Sequence, residues 1–163
     1  MQAHSSIALK IARSFERSVD SQADLLQEIL LQWWRSIPRY PAGAPAAPWL
    51  YRVSLHVALT WQRRESRRSR LIDHHAIFSE LVATIAQPRA GYVAGVDLAD
   101  LYSAIRQLRP TERALIVMHL DGLSYEEIAA TSGISVNAVG SRLTRARDHL
   151  EKLLKSYYHY GAI

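Results

Sequence analysis

Residues 124–150, SYEEIAATSGISVNAVGSRLTRARDHL, decide the fold of the C-terminal half of this chain. Ser124 and Glu127 form the S-x-x-E pattern that caps the start of a helix. Gly133 marks where that helix ends, because glycine tolerates the positive φ that a quick reversal of the chain needs. The stretch therefore predicts one short helix, a tight turn and a second helix.

The residues around this turn predict a helix-turn-helix. Ala129, four residues before the glycine, is small enough for two helices to cross almost in contact. Six residues after the glycine comes Val139, the first buried residue expected in the second helix. From there an apolar stripe continues at helical spacing, and it comprises Val139, Leu143, Ala146, Leu150 and Leu153.

The opposite face of the second helix has the character of a DNA-reading surface. Short polar residues lie near its N-terminus and arginines follow one or two turns later, which suits a helix set end-on in a major groove. An ordinary helical hairpin would not require this set of features together. The candidate DNA-binding residues are Ser135, Asn137, Ala138, Ser141, Arg142, Thr144 and Arg145.

Two shorter helices are predicted before the helix-turn-helix. Residues 97–110, DLADLYSAIRQLRP, predict a helix that stops at Pro110. Residues 111–122, TERALIVMHLDG, predict another that ends at Gly122. Residues 97–163 are thus expected to form a four-helix domain whose last helix is long.

The N-terminal half also shows a helical period. In residues 22–36, QADLLQEILLQWWRS, apolar residues recur at spacings of three and four. Residues 38–48, PRYPAGAPAAP, contain four Pro and one Gly and predict a loop of fixed, partly extended shape. A second long helix is expected to begin near Trp49. Trp33 and Trp34 are adjacent and cannot share a helix face, so one belongs to the core and the other to a partner surface.

Residues 71–96 contain a weak helical patch followed by Pro and two Gly, which predicts a flexible linker. We therefore expect an all-α protein of two small helical domains, at residues 1–70 and 97–163, joined by this linker.

Composition narrows the class of protein. The chain has 163 residues, with 20 Lys and Arg against 15 Asp and Glu, and no Cys, which excludes disulfides, thiolate metal sites and a Cys nucleophile. No stretch approaches the roughly 18 apolar residues of a membrane span, so no membrane insertion is expected. The basic residues cluster at 63–70 and 136–155, as two separate phosphate contacts would require. The scattered His residues form no metal-ligand spacing, and we expect no enzyme activity, no metal and no cofactor.

Over roughly residues 7–156, the chain resembles an extracytoplasmic-function (ECF) sigma factor of bacterial RNA polymerase. In the C-terminal half the likeness rests on IRQLRPTERALIVMHLDGLSYEEIAATSGISVNAVGSRLTRARDHLEKLL, similar to promoter-binding region four. In the N-terminal half it rests on ADLLQEILLQWWRSIPRY and PWLYRVSLHVALTWQRRESRR, similar to region two. The resemblance implies a cytoplasmic protein that directs the polymerase to promoters and initiates transcription. Its implied partners are core RNA polymerase, promoter DNA and an anti-sigma factor.

The resemblance also assigns surfaces. The outer face of the helix-turn-helix would read the upstream, minus-thirty-five element. The loop 38–48 and the helix after it would capture the downstream, minus-ten element, through Trp49, Arg52, His56, Thr60, Arg63 and Arg64. For Trp49, we expect the indole itself to serve as a core anchor. The polymerase would bind Asp24, Gln27, Glu28, Leu31, Trp34 and Arg35.

Some residues depart from the family pattern and leave two other functions open. His56 and Thr60 replace the usual Asn and Asp of the region-two helix, and Ala23 precedes Asp24 where Glu is usual. One alternative is a helix-turn-helix transcriptional regulator that binds DNA without tethering by polymerase. The other is a sigma-like decoy or adaptor that binds polymerase or an anti-sigma factor without initiating.

Overall fold

The computed structural model describes residues 4–72, 92–93 and 96–160, with side chains described for 4–67 and 97–156. The described residues form seven α-helices, which confirms the all-α prediction, and one two-residue antiparallel pairing of Tyr92–Val93 with Val96–Asp97. Most of the linker predicted at 71–96 lies outside the described residues. The helices are α1 (Ser5–Phe15), α2 (Val19–Ser36), α3 (Ala46–Ile72), α4 (Leu98–Gln107), α5 (Pro110–Leu120), α6 (Tyr125–Ser132) and α7 (Val136–Tyr160).

Helices α1, α2 and α3 pack together as the N-terminal half. Helix α2 begins at Val19, three residues before the predicted segment, because Ser18 caps it by accepting a hydrogen bond from the Ser21 N–H at 3.1 Å. The core of this half is built around fully buried Ile11, Leu25 and Tyr51, one from each helix.

The prediction of a loop over the whole of 38–48 was wrong at both ends. Residues Ile37–Arg39 form a 3₁₀ turn, and α3 begins at Ala46 rather than near Trp49. Pro48 therefore lies in the first turn of α3, where its missing N–H and fixed φ are tolerated. Helix α3 also continues to Ile72, two residues beyond the predicted end of the domain.

The C-terminal half forms the four helices predicted from the sequence. Ser124 and Glu127 complete their capping box, with hydrogen bonds of 3.2 Å from the Glu127 N–H to Ser124 Oγ and 2.8 Å from the Ser124 N–H to Glu127 Oε2. Gly133 ends α6 at φ 70°. The Ser135 hydroxyl accepts from the Ala138 N–H at 3.2 Å and caps α7. The local chemistry of the sequence thus produces the predicted turn.

The two halves pack directly against each other. Helix α3 contacts α5 and α6, and α1 contacts α4 and α5. The described buried residues of both halves form one continuous hydrophobic cluster. The sequence predicted two helical domains but did not predict this shared interface. No described helix combines the length and the apolar composition that a membrane span needs.

Candidate nucleic-acid interface

The helix-turn-helix holds α7 on α6 through a fully packed inner stripe. Val139, Leu143 and Ala146 are completely buried, and Leu150 nearly so, as the sequence predicted. Leu153 is partly buried against the same core. Because this stripe fixes the rotation of α7, the opposite face of the helix must point to solvent.

The predicted upstream-element residues lie together on that opposite face. All of them are exposed except Ala138, which is half-buried. The Arg145 Nε donates to the Ser141 carbonyl at 3.3 Å within the same helix. No described carboxylate forms an ion pair with Arg142 or Arg145. No described acidic group therefore occupies these two guanidinium groups, which lie at the surface as a phosphate or base contact requires.

Arg147, counted in the same basic block of the sequence, has a different position. Its Nη2 donates to the Tyr125 hydroxyl of α6 at 2.8 Å. The Tyr125 ring also lies beside Gly140, where an added Cβ would stand 3.6 Å from it. Arg147 thus braces the crossing of α6 and α7, a role that charge counting could not distinguish from DNA contact.

The predicted downstream-element residues follow one stripe along α3. From Trp49 to Arg63 they recur at spacings of three and four, and Arg64 adjoins Arg63. Arg52, His56, Arg63 and Arg64 are exposed, while Trp49 and Thr60 are half-buried. Trp49 packs against the core, with its ring edge-to-face on Tyr40 at 5.0 Å between centroids. The expectation that this indole acts as a core anchor agrees with that position.

The predicted polymerase-binding residues share one face of α2. Leu31 and Trp34 are 40% and 70% exposed, and Asp24, Gln27 and Arg35 are exposed beside them, with Glu28 half-buried. Trp33 instead packs on the core and donates to the Ser54 hydroxyl at 2.8 Å. The two adjacent tryptophans are therefore divided between core and surface as the sequence predicted.

Two further apolar residues extend this face and were missed from the sequence. Leu30 is 41% exposed and Ile37, just past the end of α2, is 55% exposed. Together with Leu31 and Trp34 they make a grouping of exposed large apolar side chains, the usual mark of a protein-binding surface. The signal was present in the run ILLQWWRSI, but helical spacing alone could not tell which apolar residues face outward.

One set of contacts between the two halves involves residues to which the sequence gave no role. The Asp121 carboxylate, just past α5, accepts hydrogen bonds from Lys10 of α1 and from the Tyr51 hydroxyl of α3. Burial, together with the bond to this carboxylate, raises the pKa of Tyr51. Burial opposes ionisation of Asp121, but the bonds from Lys10 and Tyr51 outweigh it and leave the pKa of Asp121 below its usual value.

A groove of about 850 Å³ also lies between the halves, with Phe15 and Gln62 on one side and Arg113 on the other. Arg113 is only 5% exposed. Its Nη2 donates hydrogen bonds to the carbonyls of Arg106 and Leu108 at 2.5 and 3.0 Å. Its guanidinium carbon lies 4.9 Å from the centre of the Phe15 ring. Burial and the neighbouring Arg106 charge lower the pKa of Arg113 to about 10, so it stays cationic at neutral pH. These contacts give Arg113 a structural role at the end of α4.

The described residues contain no cluster of His, Asp and Glu able to hold a metal ion.

The comparisons with known proteins match these two halves. The family model described as Sigma-70 region 2 matches residues 1–68, and the one described as Sigma-70, region 4 matches residues 98–150. The ECF RNA polymerase sigma factor EcfG of Rhodopseudomonas palustris (strain TIE-1) is 30% identical over 144 residues, covering 88% of this chain and 76% of that protein. The chain belongs to the ECF sigma factor family. The resemblance predicted from the sequence is thus confirmed.

Other sigma factors are similar to this chain over nearly its whole length. RNA polymerase sigma factor NccH of Alcaligenes xylosoxydans xylosoxydans is 28% identical over 163 residues, covering 96% of this chain and 85% of that one. The solved structure of sigma factor RpoE from Bartonella quintana, in complex with the anti-sigma factor NepR, superposes with a TM-score of 0.75 at 28% identity, covering 94% and 95% of the two chains. As a member of this family, the protein directs bacterial RNA polymerase to promoters.

Proposed function

We propose that this sigma factor divides promoter recognition between α7 and α3 and binds core polymerase through α2. The observation that carries the proposal is the presence of two separate exposed stripes, each on a helix whose rotation is fixed by buried residues. The outer face of α7 would read the upstream element through Arg142 and Arg145. The α3 stripe would hold the strand of the downstream element, with Arg63 and Arg64 near phosphates.

The exposed face of α2 is the proposed polymerase surface. Its large apolar side chains, with Trp34 the most exposed, lie among charged and amide groups that fit the polar rim of a protein interface. The protein would act in the cytoplasm, where the polymerase is, and would have no catalytic activity of its own.

Run-off transcription with core polymerase tests this function. Templates selected by footprinting from genomic fragments should yield promoter-dependent transcripts only when the chain is added. Permanganate footprinting on the same templates should show unpaired thymines at the downstream element. Transcripts that are absent with every template, together with a normal melting curve of the chain, would contradict the proposal.

The same assay separates the sigma factor from the adaptor alternative. His56 and Thr60 stand on the α3 stripe in place of the usual Asn and Asp, so strand opening is the step at which this chain could differ. An adaptor would bind core polymerase without producing permanganate-reactive thymines. A regulator of the conventional kind would instead protect duplex DNA without any polymerase.

An anti-sigma factor is the proposed regulatory partner. The support is the similarity to the Bartonella quintana sigma factor, whose solved structure contains the anti-sigma factor NepR. Such a partner would compete with core polymerase, so adding it should abolish run-off transcripts and raising the polymerase concentration should restore them. A candidate partner that binds the chain but leaves transcription unchanged would not fill this role.

A further inference from the structure

We propose that the two halves of this chain hold each other in a closed, inactive state, through a latch centred on Asp121 that must open before the chain can span a promoter. The proposal rests on the proposed function. The latch comprises the contacts of Lys10 and Tyr51 with Asp121, together with those of Arg52 with Ala130 and of Arg106 with Arg13.

The Asp121 carboxylate is the centre of the latch. It accepts one hydrogen bond from the Lys10 ammonium and one from the Tyr51 hydroxyl, which lie 111 and 70 residues away in the sequence. Both donors belong to the N-terminal half, on α1 and α3, whereas Asp121 follows α5 in the C-terminal half. The side chains of Lys10 and Asp121 are 40% and 20% exposed, so water can reach the ion pair and compete for it.

Two arginines add a reciprocal contact across the same interface. Arg52 of α3 donates to the carbonyl of Ala130 in the last turn of α6. Arg106 of α4 donates to the carbonyl of Arg13 in the last turn of α1, at 3.0 Å. The last four carbonyls of a helix lack partners within it, and a cation there also interacts favourably with the helix dipole. Each half therefore supplies an arginine that caps a helix of the other half.

This closed arrangement cannot read both promoter elements. The elements are named for positions roughly 25 base pairs apart, which is about 85 Å of duplex at ~3.4 Å per base pair. A compact chain of 163 residues has a radius of gyration of only about 15 Å. In the closed state α3, which carries the downstream stripe, is packed against α6 of the helix-turn-helix. The halves must therefore separate for both elements to be bound at once.

The latch also competes directly with DNA at one residue. Arg52 lies on the stripe proposed to hold the downstream strand, and its guanidinium is engaged by the Ala130 carbonyl in the closed state. That group cannot hold the carbonyl of α6 and take up the backbone position of an opened promoter at the same time. Downstream DNA and the closed state thus exclude each other.

Closure would reduce the apparent affinity for polymerase in proportion to the fraction of open chains. When only a fraction of molecules is competent, the apparent dissociation constant rises by the inverse of that fraction. Breaking the latch should therefore tighten the binding of core polymerase without any change at the α2 surface. Core polymerase would open the latch by binding the open form more tightly.

The first experiment detects the closed state in the whole, unmodified chain. A zero-length carbodiimide reagent should couple the Lys10 amine to the Asp121 carboxylate, and peptide mass spectrometry should identify the product. The ion pair of Lys155 with Glu151, at 2.6 Å within α7, is the internal control and should couple whether the chain is open or closed. Core polymerase should suppress the Lys10–Asp121 product only. Coupling of the control pair without any Lys10–Asp121 product would overturn the proposal.

The second experiment measures separation. The chain has no Cys, so spin labels can be placed at Asp20→Cys and Asp148→Cys, which are exposed and are neither in the latch nor among the residues proposed to bind polymerase or DNA. The label distance should be short and narrowly distributed in the free chain and should lengthen with core polymerase. A long, broad distribution in the free chain would contradict the closed state.

The third experiment connects the latch to function. Tyr51→Phe combined with Asp121→Asn should lower the core polymerase concentration for half-maximal run-off transcription by roughly fivefold or more, as expected if few wild-type chains are open. Lys155→Gln with Glu151→Gln is the matched control and should leave that concentration unchanged. An unchanged value in the latch variant, with a well-formed thermal transition, would overturn the latch while leaving the proposed function intact. Failure of wild-type and variant chains alike to transcribe would instead reject the proposed function.

Discussion

Tyr51, fully buried in α3, donates its hydroxyl hydrogen bond to Asp121, which lies 70 residues further along the chain just past α5. This contact is one of several that join the region-two half of the sigma factor to the region-four half. Its chemistry makes the closed form depend on pH, because burial and the neighbouring carboxylate both disfavour ionisation of the phenol.

Alkali should weaken the closed fold through Tyr51. Because its pKa is raised in the folded chain, the stabilisation is fully present below the unfolded value of about 10 and is lost as the pH rises above it. Tyrosinate absorbance should therefore show late-titrating phenols in the wild type, and Tyr51→Phe should remove one of them. Tyr102, whose pKa burial also raises, should remain in the variant as the internal reference. If the variant and wild type lose thermal stability equally between pH 9 and 11, the contact contributes nothing.

The outer face of α7 should contribute to upstream-element binding through its arginines. Arg142→Ala and Arg145→Ala should each weaken binding of the upstream element by the holoenzyme, by roughly 1–3 kcal/mol if the side chain reads a base. A phosphate contact would instead reduce the salt slope of binding by about one. Lys155→Ala removes a positive charge from the same helix three turns further on and serves as the control. Equal effects of all three substitutions would indicate general electrostatics rather than a reading face.

Alanine substitution of the two adjacent tryptophans should have opposite effects on stability and on core polymerase binding. Trp34→Ala should leave thermal stability nearly unchanged, because the side chain is 70% exposed, yet should weaken core polymerase binding by about 2 kcal/mol if it is a hot spot. Trp33→Ala should lower the free energy of unfolding by about 2–4 kcal/mol through lost packing and the lost bond to Ser54. Pull-down titration with core polymerase and thermal unfolding distinguish them. A Trp34→Ala chain that binds core polymerase normally would exclude this face from the interface.

Two glycines of the helix-turn-helix should also respond oppositely to alanine. Gly133 has φ 70°, a conformation that costs an L-residue about 1 kcal/mol or more, so Gly133→Ala should destabilise the domain. Gly140 lies within α7, and its added Cβ would meet the Tyr125 ring at an ordinary 3.6 Å. Gly140→Ala should therefore stabilise the domain by up to about 1 kcal/mol through helix propensity. Chemical denaturation of the two variants and the wild type measures each change in the free energy of unfolding. A destabilised Gly140→Ala chain would show that α6 and α7 cannot adjust to the methyl group.

Much of the helix-turn-helix could be predicted from local sequence. The capping box at Ser124, the turn at Gly133 and the buried stripe from Val139 depend on residues within one or two helical turns, and the structure has them where the sequence predicted. The division between Trp33 and Trp34 was also predicted, because consecutive residues on a helix point about 100° apart and two large rings there cannot both enter the core. The start of α3 was misjudged because a proline in the first turn of a helix looks the same in sequence as one in a loop.

The sequence by itself determined the helices and their buried stripes, which follow from periodicity and capping acting over a few residues. Its resemblance to ECF sigma factors indicated the family and the candidate residues of each surface. Only the tertiary structure decided that the two halves share an interface, that Asp121 joins Lys10 and Tyr51, and that Arg52 faces a helix end as well as the downstream stripe. Those contacts depend on how separate helices meet across more than 70 residues of chain, and pairing at that distance leaves no periodic trace in the sequence.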